Sequence, residues 1–202
     1  METKAPNPIT HLQDKQSFPI IAAYFEFAHL KQLYRQGWLM HGIPPERCES
    51  VAEHSFGVAL LALFLADAHF PVLDTGKVLR MALLHDIGEV YAGDIVPGAG
   101  VSAGEKHQLE TESASRVLGR QPRGKEYLAL WEEFEEGESP EAQFVRQIDT
   151  LEMALQASVY EHQKLADLGD FYKSAGKGLW SPELLAILRE LKKLRSKPPA
   201  DS

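Results

Sequence analysis

Helix-opening signals recur along this chain, and no other pattern competes with them. Ser50 and Ser102 each stand three residues ahead of a glutamate, Glu53 and Glu105. At that spacing the serine hydroxyl accepts a backbone N–H of the first turn while the carboxylate reaches back to the serine's own N–H. Ser139-Pro140 and Ser181-Pro182 put a capping hydroxyl directly before proline, whose missing N–H and fixed φ suit the first helical position. No stretch alternates polar and apolar residues between turn signals, so strands find no support. The expected fold class is all-α, a single-domain helical bundle.

The spacing predicts helices over residues 18–35, 51–68, 75–92, 102–119, 124–135, 139–165 and 181–195, with Gly37, Gly93 and Gly137 as stop signals. At 202 residues, 44% of them hydrophobic, the chain can bury one sizeable core and needs no second domain. Residues 1–17 and 196–202 are expected to be flexible flanks of a domain spanning 18–195. The loop over 93–100, rich in Gly and Pro, carries Asp94, and loops between rigid helices often carry function.

A formal net charge of −8 argues against nucleic-acid polymers and anionic membranes as partners, because both repel an acidic surface. A small phosphorylated substrate remains compatible, since a bound divalent cation can dominate the local field. The single cysteine, Cys48, allows no intrachain disulfide. The first residues lack the basic and apolar regions of a signal peptide, and the longest apolar run, 58–66, is too short to span a bilayer. A cytoplasmic protein is expected.

Chemistry concentrates at Leu83-Leu84-His85-Asp86-Ile87-Gly88-Glu89. On a continuous helix His85 and Glu89 share a face, with Asp86 at its edge. An isolated His-Asp pair is common and needs distant partners to hold an ion. His54 and Asp149 are candidates, each a ligand-type side chain on an otherwise largely apolar helix. Two imidazoles and two carboxylates suit a divalent metal with positions left for water and substrate. Bland readings stand beside these: His54 as a core histidine on a backbone carbonyl, Asp149 paired with Arg146 on its own helix, Glu89 as a surface acid, Asp94 as a turn residue, and Trp38 as core packing.

The order His54, then His85-Asp86, then Asp149 resembles the HD-domain metal-dependent phosphohydrolases, in their 5′-deoxynucleotidase branch. The resemblance runs from about Leu30 to Leu191 and rests also on Gly37-Trp38, Glu49-Ser50-Val51-Ala52-Glu53-His54, Gly88-Glu89, Gly93-Asp94-Ile95 with Pro97, Glu105-Lys106-His107, Leu130-Trp131-Glu132-Glu133-Phe134, Gln147-Ile148-Asp149 with Glu152, and Asp170-Phe171-Tyr172. It implies that His54, His85, Asp86 and Asp149 are metal ligands at the centre of the bundle. Glu89 and Asp94 are then the catalytic acids beside the metal's water, Glu89 foremost. It also implies substrate binding by an arginine next to Trp38. Gly37 stands where that arginine is expected, and Arg35 is the nearest basic residue, a pattern similar to eukaryotic-type relatives. The loop over 41–47 is also longer than in many relatives and brings His41 near a usual basic position, which bears on substrate selectivity.

The function implied is hydrolysis of (2′-deoxy)nucleoside 5′-monophosphates to nucleoside and phosphate by a homodimer. The cofactor is a divalent cation (Co²⁺, Mn²⁺, Fe²⁺, Ni²⁺, Zn²⁺ or Mg²⁺), which sequence does not single out. Two other readings use the same residues: phosphodiester or nucleotide-polyphosphate hydrolysis, and a non-catalytic metal-binding dimerisation scaffold. For the scaffold, Trp131, Phe134 and Trp180 are interface candidates.

Overall fold

The computed structural model describes residues 1–13 and 15–195, and its regular elements are helices: α1 (Pro19–Phe27), α2 (Gln36–Met40), α3 (Val51–His69), α4 (Thr75–Leu84), α5 (Glu89–Ala92), α6 (Ala103–Leu118), α7 (Gly124–Glu136), α8 (Pro140–His162), α9 (Gly169–Gly178) and α10 (Pro182–Leu194). Among the described residues there is no strand, only two isolated bridges, Thr3 to Leu33 and Tyr34 to Ser50. Ser50 and Ser102 each complete the reciprocal cap with Glu53 and Glu105, and the Ser139 hydroxyl accepts the Ala142 N–H. Ser181 departs from expectation. Its hydroxyl caps nothing, and its N–H, like that of Trp180, donates to Gln147 Oε1 instead.

Three helix boundaries differ from the spacing, the first two because contacts between elements claim a backbone group. The helix expected over 18–35 ends at Phe27, tightens into a 3-10 turn over Ala28–Lys31 and then extends. There Leu33 C=O accepts from Val51 N–H (3.0 Å) and Arg35 N–H donates to Glu49 C=O (3.1 Å). Gly37 accordingly lies inside α2 rather than stopping a helix, and Arg35 becomes the N-cap of α2. The helix expected over 75–92 breaks at His85. Trp131 Nε1–H donates to His85 C=O (3.1 Å), the acceptor that Glu89 N–H would use in a continuous helix. Glu89 N–H therefore turns to Asp86 C=O (3.0 Å). The helix expected to reach 165 ends at His162, and α9 follows, a helix whose internal glycine obscured it and whose Tyr172 and Ala175 are buried against the rest of the bundle.

The main core joins α3, α4, α8, α9 and α10 through Val58, Ala62, Val78, Met81, Ile148, Leu151, Tyr172 and Leu184. Small residues on facing helices, Ala59, Ala62 and Ala66 on α3 and Ala154 and Ala157 on α8, let backbones approach closely. A second cluster packs Leu33, Val51, Ile87, Val90, Val117 and Trp131 between α3 and the α5–α7 segment. Ala82 belongs to the first cluster and Ile87 to the second, so the His85-Asp86 turn sits where the two meet. Trp131 and Phe134, candidates for an interface, are buried, while Trp180 is exposed. By length and composition α3 is apolar enough to cross a membrane, but it packs on α4 and α8 with His54 and Ser55 buried, as a core helix does.

Residues ahead of α1, expected to be flexible, are tied down at several points. Lys4 N–H donates to Gln32 C=O (2.7 Å), Gln36 exchanges side-chain bonds with the Glu2 backbone, and Lys4 pairs with Glu53. The flank over 196–202 lies outside the described residues.

Candidate metal centre

His54 is placed by its cap: Ser50 and Glu53 start α3, and the imidazole falls on the first turn, almost fully buried at 1% exposure. His85 and Asp86 come from the break between α4 and α5, and Asp149 from the middle of α8. These elements bring all four side chains together. His54 Nε2 lies 3.0 Å from Asp149 Oδ1 and 3.7 Å from Asp86 Oδ2, and His85 Nε2 lies 3.2 Å from Asp86 Oδ2. Ligand atoms of His54, His85 and Asp149, one from each, lie within 4.8 Å of one another.

The second nitrogen of each imidazole is already bonded. His85 Nδ1 lies 2.8 Å from Ala82 C=O, an oxygen that only accepts, so Nδ1 carries a proton and Nε2 is the nitrogen left to meet a cation. His54 Nδ1 lies 2.7 Å from Glu152 Oε2, with the same consequence. His54 Nε2, His85 Nε2 and Asp86 Oδ2 are buried and make no aligned hydrogen bond. Converging buried lone pairs are costly unless a cation satisfies them. Two nitrogens and two carboxylates form a mixed set that fits a first-row divalent ion. The bland reading of Asp149 fails, because Arg146 donates to the carbonyls of Phe134 and Glu135.

Electrostatics agree with a site built for positive charge. Burial works against the charged form of His54, yet Asp149 and Glu152 raise its proton affinity. Burial also disfavours charge on His85, and Asp86 overcomes it. Burial opposes ionisation of Asp86, but His85, His54 and Arg35 hold its carboxyl well below the usual range. Arg35 lies 3.7 Å from Asp94 Oδ1 and 4.0 Å from Asp86 Oδ2, both longer than a hydrogen bond. Burial weakens its charge, and Asp86, Asp94, Glu89 and Asp149 more than restore it.

Glu89 is buried with Oε2 unpartnered, and its carboxyl is pushed well up by burial and by Asp86 and Asp94. Asp94 is raised by burial against the pull of Arg35, and its Oδ2 accepts the Gln36 N–H at 2.5 Å. His85 and Glu89 do not share a continuous helix face as expected. The tight turn between them nevertheless leaves both on the wall of one cavity of about 700 Å³, within the size range of small-ligand sites.

Trp38 sits mainly in the core, at 2% exposure. Its indole N–H donates to Glu49 Oε1 (2.7 Å), its ring stacks on Phe171 at 4.2 Å and meets Tyr160 edge-on. Phe171 also stands on the cavity wall. Sequence reasoning assigned no role to Glu152, Lys106 or Glu110. Lys106 and Glu110 line the cavity, 3.5 Å apart at i,i+4 on α6. Burial, against Lys106, pushes the Glu110 carboxyl to about 7. Their i,i+4 spacing on a capped helix was visible, but which way that face points was not.

A family profile described as "HD domain" matches residues 27–188. The chain is 37% identical over 171 residues to the 5′-deoxynucleotidase HDDC2 of Homo sapiens, covering 83% of this chain and 81% of that one. It is 35% identical over 142 residues to the 5′-deoxynucleotidase hdd1 of Schizosaccharomyces pombe, covering 67% and 69%. Among solved structures, the PH0347 protein of Pyrococcus horikoshii OT3 superposes with a TM-score of 0.74 at 34% identity, covering 87% of this chain and 99% of that one. Profile, relatives and helical architecture agree, and the chain belongs to the HD-domain family of divalent-metal-dependent phosphohydrolases.

Proposed function

We propose that the chain is a 5′-deoxynucleotidase, hydrolysing 2′-deoxynucleoside 5′-monophosphates to nucleoside and phosphate with one divalent cation held by His54, His85, Asp86 and Asp149. The observation that carries this is that His85, Asp86 and Glu89, each with a buried unpartnered polar atom, line one cavity of about 700 Å³ together with Asp149, with the unpartnered His54 Nε2 beside Asp149 and Asp86. The names of the relatives support the substrate class. A divalent ion so held supplies Lewis-acid polarisation of the phosphoryl group and lowers the pKa of an attacking water.

The chain's own residues supply the rest. Arg35, with its donors beyond hydrogen-bond reach of Asp86 and Asp94, is free to meet phosphate oxygens, where a guanidinium binds in bidentate fashion. Asp94 holds the α2 N-terminus through Gln36 and faces Arg35, so it orients the guanidinium as well as standing near the reacting centre. Lys106 adds a second cation to an otherwise acidic wall. Burial, with Asp86 and Asp94, raises the proton affinity of Glu89, which suits a group that would donate to the leaving 5′-oxygen.

The test is phosphate release from the eight common ribo- and deoxyribonucleoside monophosphates, with Co²⁺ or Mn²⁺ loaded, beside a cyclic phosphate. Release from deoxynucleotides, with little from the cyclic ester, is expected. Absence of turnover on every monophosphate, or preference for the diester, overturns the reading. Glu89→Gln is expected to lower kcat about 10²–10⁴-fold, the range of a general acid, while metal content stays at the wild-type level. An unchanged kcat removes Glu89 from proton transfer.

A further inference from the structure

We infer that Glu152 and Gly57 form one positioning device that fixes the tautomer and orientation of His54, Gly57 acting only as the socket for the Glu152 carboxylate. The inference rests on the reading of His54 as a metal ligand. Glu152 stands on α8 below Asp149, is buried, and holds His54 Nδ1 at 2.7 Å through Oε2. Its other oxygen, Oε1, lies over Gly57, three residues after His54 and hence on the same face of α3. A Cβ at position 57 would sit 2.7 Å from Glu152 Oε1 and 3.3 Å from Cδ and Cγ. The carboxylate can therefore occupy this place only because residue 57 has no side chain.

The consequence is unusual for a glycine inside a helix. The atom in the way is the far end of a flexible side chain, so an alanine displaces the carboxylate and leaves the helices where they are. Alanine is also the better helix former. Gly57→Ala is thus expected to give a chain that melts no lower than wild type yet binds metal more weakly, a combination that plain core damage does not produce. His54 would lose the partner that directs its Nε2 lone pair into the site, the role that carboxylate partners of metal-binding imidazoles serve in general.

The experiment titrates Co²⁺ into the full chain, stripped by chelation, and follows calorimetry and the melting temperature for Gly57→Ala, Glu152→Ala, Glu152→Gln, the Gly57→Ala/Glu152→Ala double variant and His54→Ala. Glu152→Ala is expected to weaken Co²⁺ binding about 10–100-fold. Glu152→Gln, whose amide oxygen still accepts from Nδ1–H, should recover part of that loss, and Gly57→Ala should show part of it. In the Glu152→Ala background Gly57→Ala should have no further effect, since the group it displaces is gone. Full affinity in folded Glu152→Ala, or an equal Gly57→Ala effect in both backgrounds, overturns the inference. If His54→Ala leaves Co²⁺ affinity intact, the ligand assignment itself fails; if only the Glu152 variants do, the ligand assignment stands and the positioning device falls.

Discussion

Asp86→Ala is expected to reduce phosphate release at least about a thousandfold, because the metal supplies several kcal/mol of transition-state stabilisation and each 1.4 kcal/mol is tenfold in rate. Asp86 is the hub of the cluster: its Oδ2 lies within 4.0 Å of His85 Nε2, His54 Nε2 and Arg35. Truncation leaves the two Nε2 atoms with Asp149 as their remaining carboxylate neighbour among the four and frees Arg35 from one of the carboxylates that hold its charge. The loss therefore extends to binding. At one hundred times its Kd a metal stabilises the wild-type fold by about 2.7 kcal/mol. For a chain of this size that is roughly 5–10 °C in melting temperature. Asp86→Ala should show little of that shift on adding Co²⁺ and little metal by elemental analysis. A variant that keeps both the shift and the turnover would remove Asp86 from the centre.

The parts of this fold that were readable from the sequence are those governed by local chemistry. Ser50 with Glu53 and Ser102 with Glu105 need no distant partner to start a helix, and both do so. The four donor residues could be grouped only through the resemblance in their order along the chain, since His54, the His85-Asp86 pair and Asp149 each also fit a bland reading taken singly. What escaped depended on contacts between elements. The break at His85 exists because the Trp131 indole, far along the chain, takes a carbonyl from the helical ladder. The early end of α1 follows from the pairing of 33–35 with 49–51, and this same pairing makes Arg35 a cap residue on the cavity. Ser181 looked like a cap, but its hydroxyl accepts no backbone N–H, and its own N–H is held by Gln147 from α8. Glu152 stood in plain view beside Asp149, but its partner, His54, lies on another helix.

Gly88→Ala is expected to cost stability and turnover together. Gly88 lies in the turn that joins His85-Asp86 to Glu89, with φ −59° and ψ −26°, a conformation alanine adopts freely. Backbone freedom is therefore not what the glycine provides. A Cβ there would lie 2.9 Å from Glu110 Cβ, 3.0 Å from Glu110 C=O and 3.2 Å from Glu110 Cα. Unlike the flexible carboxylate beside Gly57, these atoms belong to the α6 backbone and its first side-chain carbon, so relief requires α6 or the turn to move. Overpacking of this kind costs typically 1–3 kcal/mol, or roughly 2–12 °C in a chain of this size. Either movement disturbs the chemistry: shifting α6 displaces Lys106 and Glu110 from the cavity wall, and shifting the turn displaces Asp86 and Glu89. The variant should melt lower, with kcat reduced even at temperatures where circular dichroism shows it fully folded. If it melts and turns over like wild type, α6 and the turn are not held at the separation described. If it melts lower but keeps full kcat, α6 yields without moving any residue that the reaction uses.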